Sequence, residues 1–114
     1  MKSEFKKIAI ICASERELAP FLPLIENPTI SERAMLRIHE GRLNGFEVAA
    51  VYCGVCKVNA AAAAQIMIDC YGADTVISAG ASGGMAEDLQ LFDTVVAAEA
   101  CYHEIGRASC RERV

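Results

Sequence analysis

The sequence predicts an α/β domain with a mixed central sheet flanked by helices. Three observations carry that expectation. Lys7-Ile8-Ala9-Ile10-Ile11 and Asp74-Thr75-Val76-Ile77-Ser78-Ala79 are short, nearly continuous apolar runs, the pattern of strands covered on both faces. Lys57 to Tyr71 lies between them and reads as a long apolar helix. Asn44-Gly45 is a strong hairpin signal and places an antiparallel pair in the same chain. Strands and helices so interleaved belong in layers with helices packed on a sheet.

The order of elements follows from local chemistry. After the first strand, Ser14 stands where a helix N-cap belongs, and Leu18, Phe21, Leu22 and Ile25 keep helical spacing to about Glu26. Pro20 and Pro23 disturb that helix, since a proline removes a backbone donor, and Asn27-Pro28 should end it and open a polar connection to about Arg33. Met35 to Leu43 alternates loosely and reads as an edge or hairpin strand, with Phe46 to Cys53 as its partner across Asn44-Gly45. Gly54 breaks that strand. The following helix contains five consecutive alanines together with Ile66, Met67 and Ile68, so it is expected to be buried in the domain or against a subunit. Gly72 is its natural stop. Gly80 to Gly84 forms a turn after the next strand, and Asp93 to Ala98 is expected to be the last strand.

The 114 residues suffice for one small domain. A net charge of -4, with no basic stripe of interleaved aromatics, argues against nucleic acid as a partner. The apolar run from Ile8 to Ser14 is too short to span a membrane, and no small-residue cleavage site follows it, so a cytoplasmic protein without a membrane partner is expected. Six cysteines at scattered spacings fit a reducing compartment. Cys53-Gly54-Val55-Cys56 matches C-x-x-C, but no second pair accompanies it and His39 and His103 lie far apart, so no metal is expected. Both cysteines are placed at a strand end rather than at a helix start, which weakens a redox reading.

Residues 104–114 break the pattern, with three arginines and no apolar periodicity. The run resembles a translated sequencing adapter and is set aside from the fold as a non-native tail, leaving residues 1–103 as the amino-terminal part of a domain whose remainder is expected to continue beyond His103. Without the tail's three arginines and two glutamates the count is 8 basic against 13 acidic residues, a net charge of -5.

Three turns follow sheet strands: Ala13-Ser14, Gly54-Val55 and Gly80 to Gly84. Ligands of open α/β sheets sit at the carboxyl ends of the strands, so parallel strands would bring all three turns to one crevice. The glycine turn is neither G-x-G-x-x-G nor a P-loop, which leaves a nucleotide-phosphate cradle unsupported. Taken alone, Gly80 to Gly84 reads as a tight structural turn. Ser14-x-x-Glu17 likewise reads first as a capping box, with catalysis by Glu17 as the other reading. Glu15 is a first-turn acid that suits a helix dipole, and Lys57 and Asp93 read as solvated or structural charges.

In combination these pieces are more specific. Ile8-Ala9-Ile10-Ile11-Cys12-Ala13-Ser14-Glu15-Arg16-Glu17-Leu18 is followed in order by Gly41-x-Leu43-Asn44-Gly45 and Cys53-Gly54-Val55-x-Lys57-Val58-Asn59-Ala60-Ala61. Ala79-Gly80-Ala81-Ser82-Gly83-Gly84, Asp93-Thr94-Val95-Val96 and Glu99-Ala100-x-Tyr102-His103 complete the series. From Lys7 to His103 the chain resembles the bacterial 5′-methylthioadenosine/S-adenosylhomocysteine nucleosidases.

That resemblance implies an incomplete nucleoside phosphorylase-like fold and a homodimer when full length, without metal or organic cofactor. It implies hydrolysis of the N-glycosidic bond of methylthioadenosine and adenosylhomocysteine to adenine and a thioribose, so that the partners are a small nucleoside and water. Glu17 falls on the family's catalytic glutamate, which activates the attacking water. Ala13, Ser14, Val55, Ala81, Ser82 and Gly83 match positions lining the nucleoside pocket. The family's second acid, an aspartate that protonates adenine, falls in the later half, so the fragment by itself is expected to be inactive. The chain departs from the family at Cys12, Cys56 and Phe92, where glycine is usual, at Ser14 for methionine, and at Ala81 for serine or threonine. The alternatives are another purine nucleoside phosphorylase or hydrolase of the superfamily, or a non-catalytic nucleoside-binding module. A phosphorylase would carry an early Gly-Asp-Pro-x-Arg loop, and the acidic segment stands there instead.

Overall fold

The strand Ile8–Cys12 (β1) lies inside a five-stranded sheet, paired in parallel with Phe46–Tyr52 (β4) on one side and with Thr75–Ser78 (β5) on the other. The computed structural model describes residues 5–101, which divide between Ser82 and Gly83 into two units. In the first unit, Leu36–Leu43 (β3) pairs antiparallel with β4, and Glu26–Arg33 (β2) pairs antiparallel with β3, giving the order β2-β3-β4-β1-β5. The expected mixed sheet is therefore present.

Side chains of β1 alternate between two apolar layers. Ala9 and Ile11 pack with Ile38, Ala49, Val51, Ala63 and Met67, while Ile10 and Cys12 pack with Leu18, Ile25, Val48 and Ala50. Both faces of β1 are thus dry, which is why its sequence lacks polar alternation. At the start of the parallel strands, the Asp74 carboxylate accepts from the backbone N–H groups of Lys6 (2.9 Å) and Lys7 (3.3 Å), tying the entry of β5 to that of β1.

The first helix is shorter than its apolar spacing suggests. Helix α1 covers only Glu15–Leu18, and a 3-10 turn at Leu22–Leu24 follows. Pro20 has no N–H to continue the helix, so the chain tightens into i→i−3 bonds, Phe21 to Leu18 (2.9 Å) and Leu24 to Phe21 (3.0 Å). The apolar anchors survive the change, with Leu18 and Ile25 buried against the sheet.

The segment expected as a polar connection is strand β2. It forms the outer edge of the sheet, where polar side chains and a proline are tolerated because one side makes no ladder bonds. The register shifts between Glu26 and Thr29, around Asn27 at φ 53° and Pro28. β3 is consequently an interior strand rather than an edge. Its turn from β2 uses Ala34 and Met35 at φ 52° and 66°, a hairpin without the glycine or asparagine signal. The expected Asn44-Gly45 hairpin has both residues at positive φ, 51° and 84°.

Helix α2 spans Lys57–Tyr71 and ends at Gly72, φ 72°. Only Ala63 and Met67 are buried, and Val58 is 81% exposed, so α2 covers one face of the sheet and leaves its outer side open. Within this chain the helix is therefore buried along one face, and the expectation of burial in the domain holds for that face alone. β5 is the other edge, with Val76 and Ile77 40% and 46% exposed.

The expected strand at Asp93 to Ala98 is absent from the second unit, which is built of turns such as Asp93 N–H to the Gln90 carbonyl (3.2 Å). Apolar β-branched residues make a strand only with a ladder partner, and this segment has none among the described residues. The tail proposed at residues 104–114, and His103 with it, lies outside the described residues.

Candidate active site

β4, β1 and β5 run parallel, so their carboxyl ends meet at one end of the sheet. The ladder continues one step into the turns. Cys53 N–H donates to the Cys12 carbonyl (2.9 Å), Gly54 N–H to Ala13 (3.1 Å) and Ala79 N–H to Ile11 (3.0 Å). These bonds fix the Ala13-Ser14 turn between the other two.

Glu17 enters this junction from α1. Ser14 is extended, at φ -132°, and its hydroxyl accepts from Glu17 N–H at 3.3 Å. In return Glu17 Oε1 accepts from Ser14 N–H (3.2 Å), completing the capping box. Oε1 also accepts from Ala13 N–H (3.2 Å) and the Ser14 hydroxyl (3.4 Å). Oε2 takes a different partner: Ala81 N–H, at 2.6 Å, from the turn after β5. The cap is real, yet half of the carboxylate looks away from its own helix.

Donors from two turns favour the ionised form. The Ala81 N–H is the largest influence, and with the Ser14 and Ala13 amides and the Ser14 hydroxyl it holds the Glu17 carboxyl below the usual carboxylate range, against a smaller opposing effect of desolvation. The Cys12 thiol behind it is pushed up by burial, then by the charges of Glu17 and Cys53, and stays neutral at physiological pH. Oε1 has three donors and Oε2 one, so the oxygen with lone-pair capacity to spare is Oε2.

Of the residues singled out in the sequence, Glu17, Ala13, Ser14 and Ala81 come together. Val55 lies on the adjoining turn with its side chain 67% exposed and its carbonyl accepting from Asn59 Nδ2 at 2.8 Å. Ser82 is exposed and ends the first unit, and Gly83 opens the second. Cys56 is not at a strand end, because β4 stops at Tyr52 and Cys56 is the N-cap residue of α2. The sequence placed Gly80 only in the turn after the strand and gave it no role of its own, yet its backbone lies against the Glu17 carboxylate. Its only local signal was a glycine immediately after an apolar strand.

An open cleft of about 290 Å³ lies elsewhere, at the opposite end of the sheet, lined by Lys7, Glu40, Arg42 and Glu47 among others. Lys7 and Glu40, both lining it, form an ion pair. Among the described residues no three His, Cys, Asp or Glu side chains form a metal-ligating group, and no helix is long and apolar enough to cross a membrane.

A sequence profile of the family described as "Phosphorylase superfamily" matches residues 7–113, a span that runs on through most of the tail set aside above. A curated 5′-methylthioadenosine/S-adenosylhomocysteine nucleosidase of Maridesulfovibrio salexigens is 35% identical over 98 residues, covering 86% of this chain and 42% of the relative. A crystal structure of such a nucleosidase from Colwellia psychrerythraea, in complex with adenine, superposes with TM-score 0.87 at 33% identity, over 96% of this chain and 45% of that one. The nucleosidase of Neisseria meningitidis in complex with methylthio-immucillin-A gives TM-score 0.85 at 31% identity, over 91% and 45%. The chain therefore spans less than half the length of these relatives.

Proposed function

The chain belongs to the phosphorylase superfamily, and from that footing we propose that it is the amino-terminal part of a nucleosidase that hydrolyses 5′-methylthioadenosine and S-adenosylhomocysteine. The observation that carries the reading is the convergence of Ala13, Ser14 and Ala81 donors on the Glu17 carboxylate, at the strand ends where α/β sheets hold ligands.

In this reading Glu17 is the general base. A water held at Oε2 gives up a proton to the carboxylate as its oxygen bonds to the sugar carbon and the bond to the adenine nitrogen breaks. The anionic carboxylate also stabilises the cationic character of the ribose in the transition state. The departing adenine takes its proton from an acid outside this chain, an aspartate by the family resemblance. By the family resemblance, Ala13, Ser14, Val55, Ala81 and Ser82 line the nucleoside side of the pocket. Ser14 stands where the family has methionine and Ala81 where it has a hydroxyl residue, so the wall is smaller at both positions, more polar at Ser14 and less polar at Ala81. The family pattern further supports a cytoplasmic homodimer that needs no metal or organic cofactor.

The test is adenine release by the protein encoded by the complete open reading frame, with and without phosphate. Hydrolysis without phosphate is expected, and strict phosphate dependence would move the protein to the phosphorylases. The foreign origin of residues 104–114 is part of the same proposal, supported by their loss of apolar pattern. Genomic DNA that encodes residues 104–114 in frame directly after His103 would remove it.

A further inference from the structure

We propose that Gly80 is a positioning residue for Glu17: its missing side chain is the space that the carboxylate occupies. The inference rests on the reading of Glu17 as the base and extends it to a residue that this reading does not use.

Glycine can be required for two reasons, its backbone freedom or its lack of bulk. The first does not apply here. Gly45, Gly54 and Gly72 are the glycines with positive φ among the described residues, and Gly80 is not one of them. The second applies directly. A Cβ on Gly80 would lie 2.5 Å from Oε2, 2.9 Å from Cδ and 3.2 Å from Oε1 of Glu17. Every heavy atom of the carboxyl group is within reach of that one methyl. The next residue, Ala81, supplies the N–H that Oε2 accepts at 2.6 Å. The Gly80-Ala81 peptide therefore sets the carboxylate from two sides, by a donor and by an empty volume.

The collision would be with the tip of a flexible side chain, while no backbone atom lies among the nearest contacts. Alanine at this position should therefore leave the fold standing and push the carboxylate away. The displaced group would lose the Ala81 N–H and leave the direction in which it meets water. Cys12 is a titratable neighbour whose thiol feels the Glu17 charge, and burial helps to keep it neutral.

The experiment compares Gly80→Ala, Glu17→Gln and the double variant in the protein from the complete open reading frame. For Gly80→Ala we expect kcat to fall by about 100-fold, the size of effect that a misplacement of about 1 Å produces, with KM changed less. The acid limb of its kcat profile should move to higher pH, and the thermal midpoint should stay near the parent's. The double variant should be no slower than Glu17→Gln alone, since the glycine acts through the carboxylate. Additive losses, an unchanged kcat, or failure of Gly80→Ala to fold would each overturn the proposal. Titration of the Glu17 carboxyl by ¹³C NMR keeps the two readings apart. An unchanged rate in Glu17→Gln removes the base, whereas an unchanged Glu17 titration in Gly80→Ala removes the positioning role.

Discussion

The backbone N–H of Ala81 donates to Oε2 of Glu17 at 2.6 Å across 64 residues of sequence. Through that bond a helix-capping glutamate also becomes the point where two strand-end turns meet. Oε1 serves the cap while Oε2 keeps lone-pair capacity, so capping does not preclude the proposed role of Glu17 as a base.

Glu17→Gln keeps the shape of the side chain and removes the base. Adenine release by the full-length protein should fall by about 10² to 10⁴-fold, the range for loss of a general base. An unchanged rate would leave a nucleoside-binding module instead.

Ser14→Ala should move the pH dependence. A base works ionised, and the donors on Glu17 lower its pKa, which extends the active range downward in pH. Deleting the Ser14 hydroxyl removes one donor, so the pKa rises and the acid limb of kcat shifts to higher pH. The same change deletes an N-cap, typically about 1 kcal/mol. A profile measured from pH 4 to 8 that superposes on the parent's would contradict this account.

Cys56→Gly should stabilise the protein. Cys56 sits at φ 81°, ψ 167°, a region essentially reserved for glycine, where other residues carry about 1–3 kcal/mol of strain. Glycine relieves the strain and gives back about 0.5–1 kcal/mol in unfolded-chain entropy, for a net gain of about 1 kcal/mol. Phe92, at φ 69°, follows the same logic, and both positions carry glycine in the family that the sequence resembles. Urea midpoints of the two variants measure the effect, and a lower midpoint for either would count against it.

The 114-residue chain by itself should release no adenine and should self-associate. The edge strand β5 leaves Val76 and Ile77 partly exposed, and unpaired apolar edges recruit other strands. Size-exclusion chromatography and an adenine assay on the purified chain test both points. A monomer that turns over would refute them together.

What the sequence by itself determined was local. β1, the Asn44-Gly45 hairpin, the limits of α2 and the Ser14-x-x-Glu17 cap were all legible, because each depends on residues within about one helical turn or one hairpin of one another. The tertiary structure decided the rest. Polar Glu26–Arg33 became a strand because β3 offered it an edge, and Asp93 to Ala98 did not, because a strand exists only through its neighbour. The partnership of Glu17 with Gly80 and Ala81 was decided in the same way. No spacing rule connects positions 64 residues apart, and only the parallel pairing of β1 with β5 brings their turns to the same end of the sheet.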